Sequence, residues 1–475
     1  MSLKTELKRG ILITFISKYS NIFFELIIGA VLARLLSPKE FGIVAVILVF
    51  TTFFNLLSDI GIGTAIIQNK TLNKVHLQSI FNYTLLIGIT TGALFAFTSY
   101  PIAEFYNNNE YVRIGQLLSF AILFYTIDIV PQAILRKNKK FLKLEGAIVL
   151  INITTGIFAI YQANNGYSYY ALINRAILKS GLLFIVNYYN SKFKYGSSFE
   201  TEGIRLIYKY SSFQFLFNFI NYFSRNLDNI LIGKYMGSAS LGFYDRAYRL
   251  MMYPVQSLTH VITPVLHPIL SEYQDKPEII YNNYKNILEF LAFLGIPLSV
   301  FLYYTTEEII YIMYGEQWKN SIPVFKVLAL TIWIQMTLSS TGSIFQALGK
   351  TNLLFYSGLI SAVFMVTGIL CGVLSKDLEI VGYGLLIAFS LNLLQGFYFL
   401  FVIGFKKPIF HFLRFFKVGF ISGLLLFIFF NFIKHIDINI FVSLFLKSLF
   451  LLLSLFLGAL VTGKKYFDFL LKKRK

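Results

Sequence analysis

The sequence predicts an all-α polytopic membrane protein that crosses the bilayer about fourteen times, as two pseudo-symmetric six-helix bundles followed by two further helices. Composition is the first ground. Of 475 residues 56% are hydrophobic and 14% charged, against roughly 25% charged in a soluble domain. Spacing is the second. Apolar stretches separated by short polar connections recur at about 10–36, 41–67, 77–100, 113–135, 144–162, 168–189, 209–233, 240–270, 286–305, 321–346, 352–374, 379–403, 412–433 and 439–462. The third is charge placement. A net charge of +19 could signal nucleic acid, but with the N-terminus inside, about 27 Lys and Arg fall in cytoplasmic segments and about 7 outside, the asymmetry that orients a chain in a bilayer.

Taken in order, the basic N-terminus, 1–9, leads into a long apolar stretch without a small-residue cleavage site and reads as a retained first helix. Lys18 and Glu25 lie seven residues apart in it and share a face. The fourth span holds a lone Asp128 and ends on the cytoplasmic run Arg136-Lys137-Asn138-Lys139-Lys140. In the sixth, Arg175 and Lys179 share a face at i and i+4, where like charges repel unless something anionic neutralises them. The N-terminal bundle is placed at 1–189, a cytoplasmic linker at 190–208, and the C-terminal bundle at 209–405.

In the seventh span Arg225 and Asp228, and in the eighth Asp245 and Arg249, are opposite charges at helical spacing that can neutralise each other. His260 and His267 read as buried, hydrogen-bonded histidines rather than metal ligands. Pro131, Pro254, Pro264 and Pro297 provide points where their helices can bend. The single cysteine, Cys371, is expected to be a small buried residue, and it excludes an intramolecular disulfide or a cysteine-based zinc site. Residues 406–475 add two helices and the basic tail Lys472-Lys473-Arg474-Lys475. The external connections 104–111, 162–167 and 306–320 are too short for a catalytic loop, which argues against a polymerase or acyltransferase.

A charge near mid-bilayer costs at least about 2.5–3.5 kcal/mol, so each should face a cavity or a partner. Lys18, Glu25, Arg175, Lys179, Arg225, Asp228, Asp245 and Arg249 are therefore candidate substrate-binding residues, and Asp128 a candidate for ion coupling. Bases outnumber acids, which favours an anionic substrate over the cationic drugs of a cation-coupled multidrug exporter. Asn218, Asn221 and Tyr222 can line a polar path. No nucleotide-binding loop, cofactor site or metal site is expected.

An internal echo supports the two halves. Leu32-Ala33-Arg34-Leu35-Leu36-Ser37-Pro38-Lys39-Glu40-Phe41-Gly42 and Ile232-Gly233-Lys234-Tyr235-Met236-Gly237-Ser238-Ala239-Ser240-Leu241-Gly242 share an order of apolar, basic, turn-like, apolar and glycine positions at an offset of 200. Asn138-Lys139 and Gly349-Lys350 form a weaker pair. A helix must leave the membrane on a basic anchor, turn, and re-enter through a residue small enough for close packing.

The first of these motifs, followed by Asp59-Ile60-Gly61-Ile62-Gly63-Thr64-Ala65-Ile66-Ile67-Gln68, resembles the first hairpin of bacterial polysaccharide transporters. Arg225-Asn226-Leu227-Asp228-Asn229-Ile230-Leu231-Ile232-Gly233-Lys234 and Leu241-Gly242-Phe243-Tyr244-Asp245-Arg246-Ala247-Tyr248-Arg249-Leu250 resemble the seventh and eighth helices of the Wzx-type oligosaccharide flippases, in the multidrug, oligosaccharidyl-lipid and polysaccharide exporter superfamily. The resemblance implies a MATE-like pair of six-helix bundles around a central cavity with alternating access. It implies an inner-membrane flippase, not an enzyme, for an undecaprenyl-diphosphate-linked oligosaccharide of O-antigen, capsule or another surface polysaccharide. Expected partners are that lipid-linked glycan, membrane lipids, and a polysaccharide polymerase with its chain-length regulator, the chain itself being a monomer with both ends cytoplasmic. Transport of the peptidoglycan lipid precursor is mechanistically almost the same.

Overall fold

A computed structural model describes residues 3–59, 61–69, 71–201, 222, 226–433 and 439–461; among these the regular structure is helical, with no strand. By contacts the chain divides into Met1–Gly242 and Phe243–Lys475.

The first unit contains α1 (Leu3–Leu35), α2 (Pro38–Asp59), α3 (Ile62–Gln68), α4 (Lys74–Tyr106), α5 (Glu110–Lys137), α6 (Phe141–Asn164) and α7 (Tyr170–Ser191). α5 packs against α2, α3, α4 and α7, while α1 packs on α6 and α6 on α7. The turn into α2 is a capping box. Glu40 accepts from the Ser37 N–H (2.6 Å) and hydroxyl (2.7 Å), and its own N–H donates back to Ser37 Oγ (3.3 Å), with Pro38 at the first helical position. The second expected span, 41–67, is broken where Gly61 takes a positive φ of 75°, a conformation that glycine adopts without a Cβ penalty.

Residues 226–235 are helical, and α8 (Gly237–Ser271) begins in this unit. Its start crosses the start of α2 backbone to backbone. A Cβ on Gly42 would overlap the Ser238 carbonyl oxygen, and one on Gly242 would overlap that of Pro38. After α7, residues 192–200 run along α4, whose side chains hold their backbone: Gln78 donates to the Lys194 carbonyl (3.0 Å), and Asn82 to those of Gly196 and Ser198 (both 2.7 Å).

The second unit contains the rest of α8, then α9 (Pro277–Tyr304), α10 (Thr306–Met313), α11 (Ile322–Ala329), α12 (Ile332–Leu338), α13 (Thr341–Ala347), α14 (Thr351–Leu374), α15 (Leu378–Phe397), α16 (Lys417–Ile433) and α17 (Ile440–Val461). α9 is its hub, packing against α11, α12, α16 and α17. The tenth expected span, 321–346, is bent by 47° between α11 and α12. The break frees the Trp333 N–H, and Ser299 Oγ on α9 accepts it at 3.0 Å, so that donor is satisfied from a neighbouring helix. α14 and α15 meet through Gly368 and Gly384, each of which would drive a Cβ into the other's carbonyl.

Ten helices among the described residues are long and apolar enough to cross a membrane, or eleven with the bent pair. These account for all but three of the expected spans. The helix at 168–189 is present as α7, but Arg175, Lys179 and several Asn lower its hydropathy; α8 is likewise polar at its start; and most of 209–233 lies outside the described residues. Large apolar side chains such as Phe97, Ile157, Val363, Phe432 and Phe445 are exposed, a surface that suits lipid and not water. Cys371 corrects an expectation: it is exposed, because it sits on the outward side of α14.

Candidate functional site

In the first unit, α1, α6 and α7 align their polar residues in tiers. On α1, Lys18, Asn21 and Glu25 recur every three or four residues; on α6, Glu145 and Asn152 are seven apart; on α7, Arg175 and Lys179 are four apart. Because α6 lies between α1 and α7, side chains from all three helices meet. Arg175 Nη2 donates to Glu25 Oε1 (3.1 Å) and Asn152 Oδ1 (2.8 Å). Lys179 Nζ donates to the same two oxygens, at 3.3 and 3.2 Å. Asn152, fully buried, donates in turn to Asn21 Oδ1 (2.7 Å).

The like charges of Arg175 and Lys179 are thus held together by one carboxylate and one amide. The cluster keeps an excess of one positive charge. It also keeps a spare donor, since Arg175 Nε is buried without a hydrogen-bond partner. Side-chain exposures of 14% for Arg175, 28% for Glu25 and 31% for Lys179 leave the cluster only partly covered. Chemically, this arrangement can bind an anion, with the guanidinium able to engage phosphate bidentately.

The other expected residues lie elsewhere. Lys18 does not join the cluster; its charged neighbour is Glu145. Asp128 is buried beside Ile127, Ile129 and Val130, and both its oxygens accept from Asn187 Nδ2, at 3.0 and 2.9 Å. Asp228 is buried, its Oδ1 accepting from the Asn229 N–H (2.8 Å), and Arg225 lies outside the described residues, as do Asn218 and Asn221. Tyr222 is buried and donates to the Val49 carbonyl. In the second unit Asp245 pairs with Arg249 (2.9 Å) and also with Arg246 (2.8 Å). The side chains of His260 and His267 are not among those described. No group of three potential metal ligands occurs among the described residues.

Sequence reasoning passes over several polar residues. Asn21, Asn152 and Asn187 carry no charge and so escape a search for intramembrane charges, although their helical spacing from charged residues is readable. Lys447 in α17 is within reach of that search, whereas Glu308 falls in the expected external connection 306–320, whose first residues form α10. The two form a buried ion pair, with Ser443 Oγ (2.8 Å) donating to the carboxylate and Lys447 donating to the Tyr304 carbonyl (2.8 Å). A cavity of about 420 Å³ in the second unit is lined by Glu278, Lys285, Glu289, Lys407 and Arg414. There the hydrogen bond to Glu278, at 2.7 Å, holds the Lys407 ammonium above its usual pKa.

Comparison with known proteins places the chain in a family. Residues 31–323 match the family model described as "Polysaccharide biosynthesis protein". The chain is 26% identical over 360 residues to the teichuronic acid biosynthesis protein TuaB of Bacillus subtilis (strain 168), covering 75% of this chain and 74% of TuaB. It is 25% identical over 372 residues to the lipopolysaccharide biosynthesis protein WzxC of Escherichia coli (strain K12), with 75% and 74% covered. Among solved structures it is similar to the lipid II flippase MurJ in an inward closed conformation, with a TM-score of 0.75 at 16% identity, covering 96% of this chain and all of that one. At that identity the likeness concerns the fold.

Proposed function

From its membership of the polysaccharide biosynthesis protein family, to which the chain belongs over residues 31–323, we propose that this protein is a flippase. It carries an undecaprenyl-diphosphate-linked oligosaccharide from the cytoplasmic to the outer leaflet of the bacterial inner membrane. The glycan then enters O-antigen, capsule or another surface polysaccharide. Both chain ends are cytoplasmic in this reading, which the distribution of Lys and Arg supports. The protein acts as a monomer by alternating access to a cationic cavity, handing its product to a polysaccharide polymerase and its chain-length regulator.

One observation carries the reading. Arg175 and Lys179, inside a helix bundle, converge on a single carboxylate oxygen and retain net positive charge. A diphosphate needs cationic donors that it does not have to desolvate from bulk water, and a prenyl tail needs the hydrocarbon beside them. Within the same unit Lys18 and Asp228 extend the polar path for the sugars, and Asp128 couples the cycle to an ion. An exporter of cationic drugs would require the opposite balance at this cluster. The deciding experiment replaces both cations, Arg175→Ala with Lys179→Ala, in the native host. Surface glycan is expected to disappear with the membrane abundance of the protein unchanged, and normal glycan would refute the assignment.

A further inference from the structure

Glu25 occupies the place that an anionic ligand would take. Its Oε1 accepts from Arg175 (3.1 Å) and from Lys179 (3.3 Å), which have Asn152 Oδ1 as their other shared acceptor. Few charged groups surround it. α7 presents Arg175 and Lys179, α6 presents the uncharged Asn152, and on α1 itself Lys18 stands two turns away with Glu145 as its neighbour. The buried Arg175 Nε, which has no partner, gives the guanidinium a donor that Glu25 does not use.

Charge then sets the problem. Two cations and one carboxylate sum to +1, whereas a lipid diphosphate brings about two negative charges. Bound beside an ionised Glu25, it would place three negative charges against two positive in a site of low dielectric. The conflict ends if the Glu25 carboxylate takes one proton from the aqueous solution as the anion arrives and returns it as the anion leaves. We infer that Glu25 is a built-in counter-anion that competes with the substrate's diphosphate for Arg175 and Lys179, so that each anion bound is accompanied by one proton on Glu25. This rests on the cluster being the substrate site proposed above. A ligand that favours the protonated carboxyl binds more tightly as pH falls, by up to about tenfold per pH unit while the free carboxyl is ionised. On the release side, loss of that proton restores the Glu25 pairing and expels the ligand.

The test uses the purified full chain in nanodiscs, with farnesyl diphosphate as the probe and four proteins: wild type, Glu25→Gln, Arg175→Ala and Lys179→Ala. The phosphates of the probe titrate too, but Glu25→Gln experiences that titration without the carboxyl, so the ratio of the two Kd values isolates Glu25. The glutamine variant is expected to bind at least about tenfold more tightly than wild type near pH 8, and the ratio to fall at least about tenfold by pH 6. A ratio independent of pH, or weaker binding by Glu25→Gln, overturns the role of Glu25 while leaving the site intact. Binding that survives both alanine variants, or is absent from both wild type and Glu25→Gln, removes the site reading itself, and the proposal with it.

Discussion

Gly42 and Gly242, two hundred positions apart in the chain, sit against each other's helix, each so close to the opposing backbone that neither has room for a Cβ. The two are the matching ends of the internal echo in the sequence, and each copy of the motif ends on a glycine at the point where the two copies cross each other. Replacing Gly42 with Ala forces the helices apart, an overpacking that costs about 1–3 kcal/mol. The thermal midpoint measured by size-exclusion of the detergent-solubilised protein is expected to fall. Gly146→Ala, where nothing lies within 4 Å, is the control, and it should hold or raise the midpoint, as Ala is the better helix former. Equal midpoints for Gly42→Ala and wild type would contradict the crossing.

Asn152 offers a test of charge that leaves size unchanged. As Asn152→Asp it would supply a second carboxylate to Arg175 and Lys179, reducing the cluster from +1 to zero. The ion pairing gains a partner, but an anionic substrate loses its attraction. Surface glycan should fall to the level of a deletion strain while protein abundance is maintained, and wild-type glycan would speak against an anion at this cluster.

Asp128 is tied to Asn187 through both carboxylate oxygens. Asp128→Asn keeps the size and a hydrogen-bonding partner for Asn187 but removes the ionisable group. If Asp128 couples transport to an ion, glycan export stops although the protein remains folded in the membrane. Unchanged export would assign Asp128 to structure alone.

The buried Glu308 and Lys447 pair fastens α17 to α10. Lys447→Ala leaves an uncompensated carboxylate at a site where both side chains are about a tenth exposed, a loss of about 3–5 kcal/mol. Less folded protein should be recovered from membranes. The double replacement Glu308→Gln with Lys447→Met removes both charges and should recover most of it, and failure of that rescue would count against the pair as the cause.

Orientation can be read by labelling. With Cys371→Ala as background, a membrane-impermeant maleimide added outside intact cells should label Asn165→Cys and spare Asn138→Cys, both positions being exposed. The reverse pattern would place the N-terminus outside.

Much of the fold is legible in the amino-acid order, because a bilayer imposes a simple demand: each crossing must be long, apolar and helical, so length and hydropathy mark it. The breaks are harder to read. Gly61 divides the second span through a local backbone property, and its place in Asp59-Ile60-Gly61 is the one local signal of it. The bend between α11 and α12 has no proline at it, and the acceptor of the Trp333 N–H there is Ser299 of another helix, which no local window contains.

By itself the sequence determined the membrane class, the helical repeat, the sign of the net charge and the candidate charges within the spans, all of which follow from residue type and periodicity along one chain. Only the tertiary structure decided which charges meet. Arg175 and Lys179 are visible in the sequence as a repelling pair, but the carboxylate that reconciles them lies 150 positions away on α1, and the buried amide of Asn152 reaches them from α6. Helical spacing places residues on a face. What that face touches depends on how the helices pack, and for Glu25 that packing turns an isolated intramembrane acid into the counter-ion of a cationic site.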